Sequence, residues 1–107
     1  MLKYLTAVAI SLVFLLASVT SLAQSTGADT YKAKCQMCHG ADGLGNTPAG
    51  KAMNAHPFNS PDVLKESDAD LTTIIKGGKN KMPAFSGKLT DAQITDVLGY
   101  IHTLQKK

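Results

Sequence analysis

The chain has no arginine: all eleven of its basic side chains are lysines. Lysine is a point charge without the planar fork that reads base edges and phosphates in pairs. There is no basic run, and the formal charge is only +3. Nucleic-acid binding is therefore not indicated. Cysteine is scarce too, with Cys35 and Cys38 alone. That is too few for a disulfide framework or a four-cysteine zinc site, and His56 and His102 are too far apart to complete one. Sustained strand alternation is missing throughout, so the chain is expected to be all-α. A thioredoxin-like redox site, which needs a βαβ context, is excluded with it. The glycines do not spell a phosphate loop, and Asp42 lacks the acidic spacing of a calcium loop.

The first residues read as a targeting segment. Met1-Leu2-Lys3 is a short positive start, Leu5 to Val19 is an uncharged apolar run, and Ser21-Leu22-Ala23 offers small residues where a signal peptidase cuts. Residues 4–23 are nearly long enough to span a bilayer. The small-x-small site favours a secretory signal over residues 1–23, cleaved after Ala23, and delivery to the periplasm. One domain is then expected over residues 24–107. That length is marginal for a core without a disulfide or a cofactor.

Both cysteines fall in Cys35-Gln36-Met37-Cys38-His39. The spacing C-x-x-C-H is the attachment signal for a c-type haem. On a helix, Cys35, Cys38 and His39 stand at i, i+3 and i+4 and share one face. Two thiols on that face can form thioethers with the haem vinyl groups, and the imidazole can reach the iron. The expected cofactor is one covalent haem c with its iron. It also supplies the apolar mass that the short chain lacks.

The remaining chain reads as helices and one loop. Residues 24–38 read as a helix, capped by Ser25 or Thr26 and stopped by Gly40, with Gly27, Tyr31, Cys35 and Cys38 at helical spacing. Residues 40–61 are rich in glycine, proline and asparagine and read as a loop around the haem edge. Within it, the Pro48 carbonyl can accept the proton of His39 Nδ1, or Pro48 is simply a turn residue. A short turn is possible over Pro61–Glu66, and Ser67 to Lys76 reads as a helix closed by Gly77-Gly78. Thr90-Asp91-Ala92-Gln93 is a capping box. It opens a last helix whose Ile94, Val97, Leu98, Ile101 and Leu104 share an apolar face.

With His39 on the iron, the residue on the sixth position decides the function. An open site permits gas or peroxide chemistry, and a filled one gives electron transfer. Met37 lies inside the attachment loop and cannot reach the opposite face, and His102 is expected to be exposed. Met53 and His56 remain possible. Met82, in Lys81-Met82-Pro83-Ala84-Phe85 after a helix and two glycines, is best placed.

With these residues in view, the chain resembles class I bacterial cytochromes c, similar to the small single-haem periplasmic and cytochrome c6-like members. Cys35, Cys38 and His39 fit the attachment motif, and Met82-Pro83-Ala84-Phe85 fits the distal-ligand motif. Gly27 and Tyr31, with Val97 and Tyr100, fit the crossing of the terminal helices. The resemblance implies a cytochrome c fold of three to four helices around one haem. It further implies Met82 as axial ligand and Pro48 as the carbonyl partner of His39.

The expected function is a soluble, monomeric one-electron carrier with His39/Met82 ligation and no enzymatic activity. Its partners would be redox proteins, membrane-bound ones included. Lys34, Lys76, Lys79 and Lys81 would steer acidic partners if they ring the haem edge. The alternatives are an electron-transfer subunit of a periplasmic dehydrogenase or oxidase, and a haem sensor or peroxidase with a displaceable sixth ligand.

Overall fold

Four helices begin where a hydroxyl side chain accepts a backbone N–H that the helix cannot use itself. Thr26 caps α1 (Gly27–Lys34), Thr47 caps α3 (Pro48–Ala52), Ser67 caps α5 (Asp68–Gly77) and Thr90 caps α6 (Asp91–Gln105). Two short segments, α2 (Gln36–His39) and α4 (Pro61–Leu64), complete the set. The structure, a computed structural model, describes residues 26–106. The expected leader at residues 1–23, its cleavage site and residues 24–25 lie outside the described residues. Among the described residues the only β pairing is two isolated bridges, Lys79 with Met82 and Ser86 with Leu89, so the fold is all-α.

The frame is the crossing of α1 and α6. Gly27 allows it, because a Cβ there would meet the Asp96 carbonyl oxygen at 2.1 Å. One turn on, Tyr31 is fully buried and its ring packs against Tyr100 with centroids 5.1 Å apart. The α6 stripe of Ile94, Val97, Leu98, Ile101 and Leu104 is buried as its spacing predicts. Each such side chain contributes about 1.5–3 kcal/mol by leaving water. Phe58, Ile75, Phe85 and Leu89 extend this core from the loops and from α5.

Two expectations change in detail. The helix expected over 24–38 is divided at Cys35, whose φ of −120° and ψ of −33° leave the helical range. The Cys35 carbonyl then receives both the Cys38 and the His39 N–H, at 3.3 and 3.0 Å. The turn-rich stretch 40–61 contains α3, because Thr47-Pro48 is a cap followed by proline at the first helical position. The described residues thus hold three longer helices, α1, α5 and α6, and three segments of five residues or fewer, in keeping with the expected helical fold.

Candidate haem-attachment site

α2 carries Cys38 and His39, Cys35 stands at its start, and the chain around it is bound down from three sides. Tyr31 donates its hydroxyl to the Gly40 carbonyl at 2.5 Å, from beneath. Thr47 donates to the carbonyls of Met37 and Cys38 at 2.6 and 3.1 Å, and Gly45 N–H donates to the His39 carbonyl at 2.8 Å. α3 can come this close only because residue 50 is glycine: a Cβ there would meet the Cys38 oxygen at 2.2 Å. The carbonyls at the end of α2 are thus satisfied by the loop that follows it.

Cys35 and Cys38 are unpaired thiols, both partly buried. Burial, with the neighbouring Cys38, pushes the Cys35 thiol up to about 11, so it stays protonated at neutral pH. Burial also lowers the His39 pKa below its usual value, which favours the neutral imidazole, the form that binds a metal. The ring lies against Phe58, with centroids 4.6 Å apart and planes at 25°. Phe58 is itself held by its N–H to the Gly43 carbonyl at 2.9 Å and by Gln105, which donates to its carbonyl at 3.0 Å.

The hydrogen bond considered between His39 Nδ1 and the Pro48 carbonyl is not formed in this arrangement. Nδ1 is buried without a partner, and Pro48 is an exposed first residue of α3. A buried polar atom left unmade costs about 1–3 kcal/mol. An arrangement in which the other ring nitrogen is bound and Nδ1 meets an acceptor relieves that cost.

Met82 sits in a tight reversal. Its N–H and carbonyl exchange hydrogen bonds with Lys79 at 2.9 and 3.2 Å, around Asn80 in the left-handed region at φ 54°. Phe85 and Ser86 N–H then bind the carbonyls of Ile75 and Lys76 at 3.0 and 3.1 Å, tying the segment back to α5. Gly78 lies beneath it, where a Cβ would meet the Met82 oxygen at 2.6 Å. The Met82 side chain is partly buried against the core cluster.

The other candidates differ in setting. Met37 is 78% exposed, Met53 is 50% exposed and His56 is exposed. His102, expected to be exposed, is partly exposed and bonded at both ring nitrogens, to Asp68 and Gln105. Among the expected docking lysines, Lys34, Lys79 and Lys81 are exposed, whereas Lys76 pairs with Asp91 at 2.8 Å.

Sequence reasoning missed Phe58, Thr47 and Gln105. Thr47 was detectable as a cap before proline. Phe58 and Gln105 carry no local signal, since both act through partners far along the chain.

The residues fit a covalent haem. Two thiols and an imidazole follow one another around one turn, one of them kept as thiol and the imidazole favoured as neutral. Among the described residues no group of three or more His, Cys, Asp and Glu gathers to hold a bare ion instead.

Comparison with known proteins agrees. Residues 22–101 match the family model described as Cytochrome C oxidase, cbb3-type, subunit III. The cytochrome c6 of Synechococcus elongatus is 37% identical over 78 residues, covering 72% of this chain and 85% of that protein. The cbb3-type cytochrome c oxidase subunit CcoP of Azospirillum brasilense is 32% identical over 89 residues, covering 81% of this chain. The chain spans 30% of the length of that subunit. Among solved structures, the KustC0563 c-type cytochrome aligns with a TM-score of 0.69 at 27% identity, over 75% of this chain and 98% of that one.

Proposed function

The chain belongs to the class I cytochrome c family, whose domains bind covalent haem c with its iron and transfer electrons, and on that premise we propose a periplasmic single-haem electron carrier with His39 and Met82 as axial ligands. Cys35 and Cys38 are its thioether positions. Residues 24–107 are its working domain, after a cleaved leader over residues 1–23.

The observation that carries this reading is the fixed α2. Hydrogen bonds from Tyr31, Gly45 and Thr47 anchor the backbone around Cys38 and His39, and Phe58 stacks on the His39 ring. A carrier needs ligands that keep their places in both oxidation states, so that little rearranges when the electron moves. The reversal at Lys79–Met82, tied to α5 through Phe85, supports a similarly fixed Met82. Bound there, haem supplies a one-electron Fe(III)/Fe(II) couple. The protein's own contribution is to hold the ligands, exclude water with the Tyr31–Phe58 side of the core, and present a docking surface. With haem bound, the Pro48 carbonyl would be the acceptor for His39 Nδ1, which has no other partner.

Carbon monoxide added to the reduced protein at neutral pH tests the filled sixth site. Slow or absent binding is expected, and rapid binding would overturn the carrier reading in favour of a sensor or peroxidase.

One finding favours a second reading: the matched family model is that of an oxidase subunit. In that case the same haem chemistry serves a permanent partner. Gel filtration of native extract with haem staining separates the two, a small free species supporting the carrier.

A further inference from the structure

Both ring nitrogens of His102 meet oxygen. Nε2 lies 2.7 Å from Asp68 Oδ1 in the first turn of α5, and Nδ1 lies 2.7 Å from Gln105 Oε1. A carboxylate only accepts. The Gln105 amide is oriented from its other end, where Nε2 donates to the Phe58 carbonyl at 3.0 Å, a group that also only accepts. Oε1 must therefore face His102. A neutral imidazole has one N–H and one lone pair, so it satisfies one of these oxygens and repels the other. The imidazolium satisfies both.

Loss of the proton breaks the chain at a definite place. The bond to the carboxylate is charge-assisted and the stronger of the two, so the remaining N–H stays on Asp68. Nδ1 then turns a lone pair on Gln105 Oε1. Turning the amide over offers no escape, because Oε1 would then face the Phe58 carbonyl. Gln105 is released, and with it the bond from α6 to Phe58. Phe58 is the residue whose ring lies on His39, 4.6 Å centroid to centroid.

We infer that His102 and Gln105 are positioning residues for His39: the proton on His102 holds Gln105 on the Phe58 carbonyl, Phe58 holds the imidazole, and the reduction potential of the haem protein follows the protonation of a side chain that touches neither axial ligand. The inference rests on His39 as the iron's ligand. The charged groups that bear on His102 are Asp68 from α5 and Lys106, which caps the end of α6. Hydrogen bonds donated to Gln105 and Asp68 raise its pKa, against partial burial and Lys106. The neighbouring groove between α5 and α6 adds only Ala69, Thr72, Thr95, Leu98 and Gly99, none of which titrates. The ring is 38% exposed, so its proton exchanges directly with solvent while the electron comes from the redox partner. Screening at that exposure leaves the field of the charge itself a weak route to the iron.

Linkage is reciprocal, so the pKa of His102 must differ between oxidised and reduced protein if the potential depends on its proton. The test is the midpoint potential of the haem-loaded protein across about pH 5 to 9, with the His102 resonances followed by NMR in both oxidation states. The wild type should show a sloping region bounded by the two His102 pKa values. Asp68→Asn should lower the His102 pKa and flatten the slope, because an amide can turn its N–H to Nε2 and leave the Nδ1 proton on Gln105. Gln105→Ala should leave His102 titrating against Asp68 and abolish the slope, as should His102→Gln. Asp68→Asn changes an exposed group and Gln105→Ala a half-buried one, neither of them in the apolar core, so one of them serves if His102→Gln fails to fold. A slope that survives in Gln105→Ala or His102→Gln overturns the inference, as does a flat wild-type profile. The absorption spectrum of the same samples separates the premise: a six-coordinate histidine-ligated haem with a flat profile sinks the coupling alone. A spectrum without histidine ligation sinks both.

Discussion

Tyr31 reaches across nine residues to donate its hydroxyl to the Gly40 carbonyl, a 2.5 Å hydrogen bond that closes the turn immediately after His39. The hydroxyl is buried and its pKa is raised, first by that burial, so it remains a neutral donor throughout the accessible pH range. One side chain of α1 thereby sets the end of the segment that carries His39, the proposed haem ligand.

Tyr31→Phe keeps the ring and removes the donor. The Gly40 carbonyl then keeps only the Gly43 N–H at 3.2 Å, and the lost hydrogen bond costs about 0.5–1.5 kcal/mol. The unfolding free energy of the haem-loaded protein should fall by that amount, read as a lower denaturation midpoint with an unchanged denaturant slope. A variant as stable as the wild type would mean that the bond contributes nothing.

Gly27→Ala sets two effects against each other. Alanine in a helix is favoured over glycine by about 0.8–1 kcal/mol. Its Cβ, however, would lie 2.1 Å from the Asp96 carbonyl oxygen, a backbone atom that cannot rotate away. Forcing α1 and α6 apart costs about 1–3 kcal/mol or more, so the clash wins. Thermal unfolding should show a net loss of stability; a gain would refute the close crossing.

The His102–Asp68 pair makes stability depend on pH. The His102 pKa in the folded chain is raised above its ordinary 6.5, with the Gln105 hydrogen bond the largest cause and Asp68 next. A raised pKa means that the folded protein holds the proton more tightly than the unfolded one. The resulting stabilisation is complete below about pH 6.5 and disappears as pH climbs through the higher folded value. The stability difference between wild type and Asp68→Asn, measured by denaturant, should be largest near pH 5.5–6 and shrink toward pH 9. A difference that grows with pH would reverse the assignment.

Met82→Ala should abolish the weak sulfur-to-iron band of the oxidised protein and let the reduced protein bind carbon monoxide rapidly. Met53→Ala and His56→Ala, at exposed positions, should leave both properties unchanged. Retention of the band in Met82→Ala would transfer the ligand role to another residue.

Electron transfer to an acidic partner should slow as ionic strength rises, since exposed charges are screened beyond about 10 Å at 0.1 M salt. Lys79→Glu and Lys81→Glu should lower the rate and flatten its salt dependence, because both lysines are exposed beside Met82. Lys76→Glu confounds the comparison by breaking the pair with Asp91, so its effect should appear in stability as well. Equal rates at all salt concentrations would remove the steering role.

Much of the fold was legible because its signals are local. Thr26, Ser67 and Thr90 mark helix starts by chemistry acting over three residues, and the α6 stripe from Ile94 to Leu104 is a matter of spacing. α3 was passed over because glycine and proline outnumber every other signal in residues 40–61. The Thr47 cap becomes decisive only when its hydroxyl also binds the carbonyls of Met37 and Cys38. The division of the first helix at Cys35 had no sequence signal, since the conformation there is set together with the loop that folds back onto α2.

What the sequence determined by itself is the chemistry on offer: two thiols and an imidazole at haem spacing, a methionine before proline far downstream, and helices to carry them. These depend on residue type and short-range periodicity. Only the tertiary structure decided how that chemistry is held. Phe58 lies on His39 because Gly43 and Gln105 fasten it from opposite sides, and His102 joins Asp68 to Gln105 because α5 packs against α6. Contacts between residues 34 and 47 positions apart leave no periodic trace, and only the packed chain brings them within hydrogen-bonding distance.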